Sequence, residues 1–214
     1  MRGVKFGEYH SFYEWGLILT EGKEIEAPDY KKIEVEIEGS HGVLDYTETF
    51  GGIKYKNRKL SFPFVKPDIV PDGYLSLYSL IQNTIHGKKM QVILDDDPAF
   101  FYYGRVTINE WKSSKNLGTI QIEVDAEPFK QSIAETVVSH TVSGNANIVL
   151  QNDKMPVVPT ITTNAEFLID FGSYNEIYPA GTFQMPELEL SEGDNPIYLE
   201  GTGTITFRYR KGRL

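Results

Sequence analysis

The sequence predicts a mainly β protein in two parts: a β-rich N-terminal domain with one helix, residues 1–132, and a C-terminal β-sandwich, residues 133–214. Three observations predict it. Twelve Phe and 13 Tyr stand beside only four Met, and aromatic side chains suit a pleated, half-buried surface. Apolar and polar residues alternate along segment after segment with the period of a strand, as in Ile33–Ile37 and Thr119–Val124. Beyond residue 133 turn residues recur roughly every 8–12 positions, the spacing of a small sandwich.

In the first domain, Gly3–Thr20 reads as a short strand at Val4 and Phe6, an aromatic-rich reversal, and a second strand at Leu17–Leu19. Phe12 and Trp15 are expected in the core, because aromatic rings carry much of core burial. Ile33, Val35 and Ile37 share one strand face, and Glu34, Glu36 and Glu38 share the other. That pattern predicts a strand that packs its apolar side inward and solvates its glutamates. Gly39-Ser-His-Gly42 makes the turn. Leu60, Phe62 and Phe64 then restore the core face, with Pro63 marking an edge or a strand end.

One helix is predicted, over about residues 73–86. Asp72 is placed as its N-cap, Tyr74, Leu77, Tyr78, Ile81 and Ile85 form one face, and Gly87 stops it. Strands at Met90–Leu94 and Phe100–Ile108 flank the polar turn Asp95–Pro98, and Lys112–Asn116 turns into the strand Thr119–Val124. A linker is expected from Gln131 to Thr136. Short strands follow at Thr136–Val142, Ile148–Leu150, Val158–Thr163, Phe167–Phe171, Ile177–Tyr178, Thr182–Met185, Asn195–Leu199 and Thr204–Arg210.

The formal net charge of −9 speaks against non-specific nucleic-acid binding, which neutralises phosphates with Lys and Arg. Absence of cysteine excludes disulfides, thiolate metal sites and a cysteine nucleophile. No apolar run approaches the ~20 residues of a membrane span, and the N-terminus lacks the apolar stretch of a secretory signal. His10, His41, His86 and His140 are scattered without metal-ligand spacing, so structural or solvent-facing roles are expected.

Asp95-Asp96-Asp97 lacks the spacing of a calcium loop and reads as a solvated turn. The basic end, Arg208, Arg210, Lys211 and Arg213, fits a terminal strand with one polar face. No nucleophile elbow, phosphate loop or zinc signature occurs. A glycosidase-type carboxylate pair stays open at this level, since any two acidic residues can meet in space. The expectation is a protein without catalysis, cofactor or metal. Tyr174 and Tyr178 are the candidates for a sugar or partner surface, although Asn175 and Glu176 between them equally suit a turn.

One family shares these motifs in order. Gly3-Val-Lys-Phe6, His10-Ser11, Trp15-Gly-Leu-Ile-Leu19, Glu38-Gly-Ser-His-Gly-Val-Leu-Asp45 and Tyr55-Lys-Asn-Arg58-Lys-Leu-Ser-Phe62 lie in the first domain. The helix before Gly87-Lys88, then Gly104-Arg105-Val106 and Ala126-Glu-Pro-Phe129, complete it. Leu190-Ser-Glu-Gly193-Asp-Asn195-Pro-Ile197 and Gly203-Thr-Ile-Thr-Phe207-Arg-Tyr209-Arg210 lie in the second. In these the chain resembles, nearly end to end, the short form of the distal tail proteins (Dit) of siphophages, including prophage-encoded copies.

The resemblance implies a hub at the virion tail tip, made in the host bacterial cytoplasm. The N-terminal domain would form a hexameric ring, and a galectin-like C-terminal sandwich would project outward. The ring would join the tail tube protein to the tail-associated fibre or lysin protein, around a channel for DNA and the tape-measure protein. The lack of strong positive charge is tolerable for such a channel, since DNA in transit should slide and not stick. The alternative is a carbohydrate-binding adhesion module for host cell-wall polysaccharide, although a galectin-like fold is not by itself a sugar site.

Overall fold

Alternating sequence becomes antiparallel strand along most of the chain, in a computed structural model that describes residues 3–49, 51–67, 71–114 and 117–214. The chain divides into two units, Met1–Pro128 and Phe129–Leu214. The first contains β1 (Val4–Phe6), β2 (Tyr9–His10), β3 (Ile18–Leu19), β4 (Glu24–Ile25), β5 (Glu34–Glu36) and β6 (Val43–Asp45). It continues through β7 (Arg58–Pro67), α1 (Pro71–Ile85), β8 (Lys89–Leu94), β9 (Phe100–Ser114) and β10 (Leu117–Ala126).

Its main sheet runs in the order β2-β1-β8-β9-β10-β7-β3, with β4 also on β7. Register aligns the apolar residues: Phe62 opposes Ile122, Phe64 opposes Ile120, and Val124 opposes Val106, all of them buried. Phe6 meets Phe62 and Phe64 edge-on, at centroid distances of 6.1 and 6.3 Å, and stacks on Trp15. Trp15 is therefore a core anchor, while Phe12 is half-buried.

Helix α1 packs the predicted face, Tyr74, Leu77, Tyr78, Ile81 and Ile85, against this core, with Trp111 4.9 Å from both tyrosine rings. It begins at Pro71, which suits a first helical position, so Asp72 lies inside the first turn and not at the cap. Gly87 ends it with φ +75°, a value that favours glycine, and its N–H turns to the Val106 carbonyl. The turn expected at Lys112–Asn116 lies partly outside the described residues.

Pro63 corrects an expectation. It sits inside β7, opposite the break between β3 and β4, where Thr20 donates to its carbonyl. A residue without an N–H is tolerated there because no neighbouring strand asks for one.

The second unit holds β11 (Lys130–Ser132), β12 (Thr136–Asn152), β13 (Thr160–Thr163), β14 (Phe167–Phe171) and β15 (Tyr174–Tyr178), then β16 (Gly181–Gln184), β17 (Gly193–Tyr209) and β18 (Gly212–Arg213). The expected linker is in part strand, since β11 pairs with β18. The expected short strands are also corrected. Thr136–Val142 and Ile148–Leu150 belong to one 17-residue strand, as do Asn195–Leu199 and all of Thr204–Arg210 but its last residue. The two pair in unbroken register from Thr136↔Tyr209 to Asn152↔Gly193.

The small residues that read as turns are a corner instead. Gly144, at φ +91°, faces Gly201 across the ladder. Beyond that corner β17 exchanges its neighbour β14 for β13. Residues from both halves, Ile148, Leu199, Ile205 and Phe207 among them, fill one core around Phe167. One sheet curving over itself supplies both layers.

Two close approaches hold these sheets. A Cβ on Gly104 would lie 2.6 Å from the Asp125 carbonyl and 2.7 Å from Ala126 Cα, so β9 and β10 would have to part. A Cβ on Gly201 would lie 2.7 Å from the Glu166 carbonyl and 2.8 Å from the Phe167 ring. Gly104→Ala and Gly201→Ala should each cost about 1–3 kcal/mol, the usual range for forced overpacking, read as a lowered urea midpoint. An unchanged midpoint for either would show that the approach is looser in solution.

Candidate assembly surface

The alternation of Ile33–Ile37 builds an arm, not a piece of the core. Among the described residues β5 pairs only with β6, in the register Glu34↔Asp45, Val35↔Leu44, Glu36↔Val43. Below it, Tyr30 bridges Tyr55, Lys31 donates to the Lys54 carbonyl, and Lys56 donates to that of Asp29. Cross-strand partners share a face, so Val35 and Leu44 stand together, with Ile33, Ile37 and Tyr46 in the same alternation. The opposite face carries Glu34, Glu36, Asp45 and Val43.

The expectation that Ile33, Val35 and Ile37 pack inward is overturned. They are 41%, 46% and 49% exposed, and Leu44 and Tyr46 are 44% and 39% exposed. Periodicity reports that a strand has an apolar side; it does not report that the same chain supplies the cover. An isolated two-stranded hairpin is marginal in water, and a contiguous exposed apolar patch marks an interaction surface.

Thr47 fastens the arm where its strands leave the base. Its hydroxyl accepts the Ile33 N–H at 3.1 Å, and its own N–H donates to the Asp45 carboxylate at 2.8 Å. From Ile33 to Ile53 the chain carries five carboxylates and no Lys or Arg. Lys32 answers one of them, 3.8 Å from Glu34.

The predicted candidates fall elsewhere. His10 is buried, with Nε2 3.1 Å from Asp95 and Nδ1 accepting the Phe12 N–H, so the ring proton sits on Nε2. Asp95 also accepts the Gly3 N–H at 2.6 Å, and Asp96 pairs with Lys23. The aspartate turn thus anchors the start of the chain. His41 is exposed at the arm tip, His140 is half-buried in β12, and His86 accepts the Ile108 N–H at 3.0 Å.

At the basic end, Arg208 approaches Glu135, Arg210 donates to the Ser132 and Ile133 carbonyls, and Arg213 holds Asp153 at 2.7 Å. Tyr174 and Tyr178 share one face of β15, at the end of the sheet order. Tyr174 is 44% exposed, whereas the Tyr178 ring stacks on Phe183 at 4.5 Å and its hydroxyl donates to Glu176. Burial pushes the Tyr178 phenol upward.

Among the described residues no three His, Asp or Glu stand together as metal ligands, and no helix is long and apolar enough to cross a membrane. One feature escaped sequence reasoning: Leu75 and Leu80, on the outer side of α1, are 71% and 56% exposed. Its only signal was the lack of any Asp, Glu, Lys or Arg between Gly73 and Gly87.

The arm has a pH signature. The Thr47 hydroxyl, and then its backbone N–H, hold the Asp45 carboxyl below its ordinary value. A depressed folded pKa means that the bond is fully made above the unfolded value of about 4 and is lost as pH falls through the lower folded value. The Thr47 amide resonance should therefore titrate with a midpoint below that of a free aspartate, and Asp45→Asn should abolish the transition. A midpoint at or above the ordinary value would show that the arm turn is open in solution.

No protein-family model matches the sequence, and no curated protein matches it. A solved structure does. It is the crystal structure of the Dit protein of phage SPP1, described as a paradigm of the hub adsorption apparatus in phages infecting Gram-positive bacteria. The similarity has a TM-score of 0.70 at 14% sequence identity and covers 100% of each chain. From end to end, the chain has the fold of a phage distal tail protein.

Proposed function

We propose that this chain is a structural hub subunit at the tip of a siphophage tail, and that it works by assembly and not by catalysis. The observation that carries the proposal is the arm: five half-exposed apolar side chains on one face of a two-stranded ribbon, with no cover among the described residues. A second copy would supply that cover. Closed cyclic assembly also protects sheet edges that a single chain leaves open.

In this reading the N-terminal unit forms a ring, a hexamer as in the family the sequence resembles. The C-terminal unit is a galectin-like sandwich. The ring joins the tail tube protein to the tail-associated fibre or lysin protein, and DNA and the tape-measure protein pass through its channel. Subunits made in the host bacterial cytoplasm end at the virion tail tip.

A second reading, an adhesion module for cell-wall polysaccharide, has one observation in its favour: Tyr174 is half-exposed beside Asn175 and Glu176. It is the weaker reading, because Tyr178 spends its ring on Phe183.

Light scattering with negative-stain imaging of the full chain tests the hub. A ring of about six copies with a central hole is the expected result. A strict monomer at high concentration that also fails to bind tail-tube and tail-tip proteins would sink it. Binding to purified cell-wall polysaccharide that is lost in Tyr174→Ala would promote the second reading, and a flat glycan profile would remove it.

A further inference from the structure

Resting on the ring reading above, we infer that the second units of neighbouring copies pair edge to edge, the free edge of β12 in one copy against β15 and β16 of the next. Strand order sets up the contact. β12 lies along one side of β17 for its whole length, so β14 and β13, which pair with successive segments of β17, lie on the other side. β15 follows β14, and β16 follows β13. The folded-over sheet thus ends on one side in β12, in both layers, and on the other in β15 and β16.

Strand direction fits as well. Every pairing in this sheet is antiparallel, so β15 and β16 each run opposite to the half of β12 that shares their layer. A copy moved sideways without reversal brings its β15 beside residues 145–152 and its β16 beside residues 136–143, antiparallel in both layers. Two different surfaces then meet head to tail, the heterologous contact that a closed ring of more than two copies uses.

An open edge is ordinarily guarded by brevity, charge, proline or a bulge. β15 and β16 are short, at five and four residues. β12 has none of these guards. It runs for 17 residues in unbroken register with β17, and no other strand pairs with it among the described residues. Residues 136–152 are also the longest stretch of the sequence without Asp, Glu, Lys or Arg, and they include no Pro. The backbone N–H and C=O groups on the open side of β12 are a template for one more strand.

Side chains at the two edges match. Val137, Val149, Tyr174 and Ile177, most of the exposed large apolar side chains of the second unit, lie on β12 and β15. Val149 and Ile177 are 51% and 63% exposed. Both belong to the outer face of one layer: Val149 alternates with buried Ile148 and Leu150, and Ile177 stands opposite Leu168, which alternates with buried Phe167 and Ile169. Head-to-tail pairing sets the two on the same face of a continued sheet, where apolar cross-strand neighbours stabilise each other. Pairing β12 with β12 would leave Ile177 uncovered and would stop at two copies.

The chain has no cysteine, so an introduced pair reports a single contact. Val149→Cys with Ile177→Cys, made in the full chain and checked for folding by circular dichroism, should give a ladder of covalent oligomers under denaturing conditions after treatment with a short bismaleimide. Either single variant should stay a monomer. A ring visible by negative stain together with no ladder from the pair would overturn the edge contact and leave the ring reading in place. Val149→Cys alone cross-linking as efficiently as the pair would also overturn it, by putting β12 on β12. A wild-type chain that never assembles would overturn the ring reading, and the edge contact with it.

Discussion

An apolar strand face has to be covered, and the three ways this chain meets that demand give its three structural parts. The face of β7, β10 and β9 is covered by α1 and by Phe6, Trp15 and Leu17. Burying one such phenylalanine is worth about 3–5 kcal/mol against truncation to alanine, so this layer dominates the first unit. The second unit has no helix among its described residues, and its sheet curves to cover itself. Where β14 pairs with β17, Phe167 lies directly opposite Gly201, so close that no side chain fits there. The arm has neither device, and its apolar face stays half-exposed.

The residues that carry the family resemblance are mostly fasteners. Gly3 lies so near His10 that a Cβ would sit 2.5 Å from the ring, and both are tied to Asp95. Arg58 is buried, donates to the Glu26 and Pro128 carbonyls, and lies over the Tyr102 ring. Asn195 is buried and joins the Leu150, Ser191 and Gly193 carbonyls while accepting the Ser191 N–H. Each satisfies backbone groups that are costly to leave unpaired. Core positions ask only for apolar side chains of suitable volume. A fold whose strict demands fall on few positions can persist at 14% identity.

Helix α1 was legible because its 3.6-residue period spans several turns and Gly87 ends it. The long strands of the main sheet, β7 to β10, were legible because alternation and burial agree there, whereas the two-residue β2 and β4 are too short to show a period. The 17-residue strands were not, because Gly144 and Gly201 serve equally for a turn or for a corner in a continuous ladder, and only their pairing across strands decides. The arm's position was legible and its role was not: Val35 in a core and Val35 on an unpartnered ribbon have the same sequence neighbours. Leu75 and Leu80 left only a missing signal, the absence of charge where a solvated helix would carry it.

An uncovered apolar ribbon is also a hazard, since exposed strands pair indiscriminately. The five carboxylates between Ile33 and Ile53 act against that. Two ribbons pairing edge to edge bring like charges together on one face across a short distance, which disfavours that stacking. The glutamates therefore do more than solvate a strand face: they discourage edge-to-edge pairing of one ribbon with another.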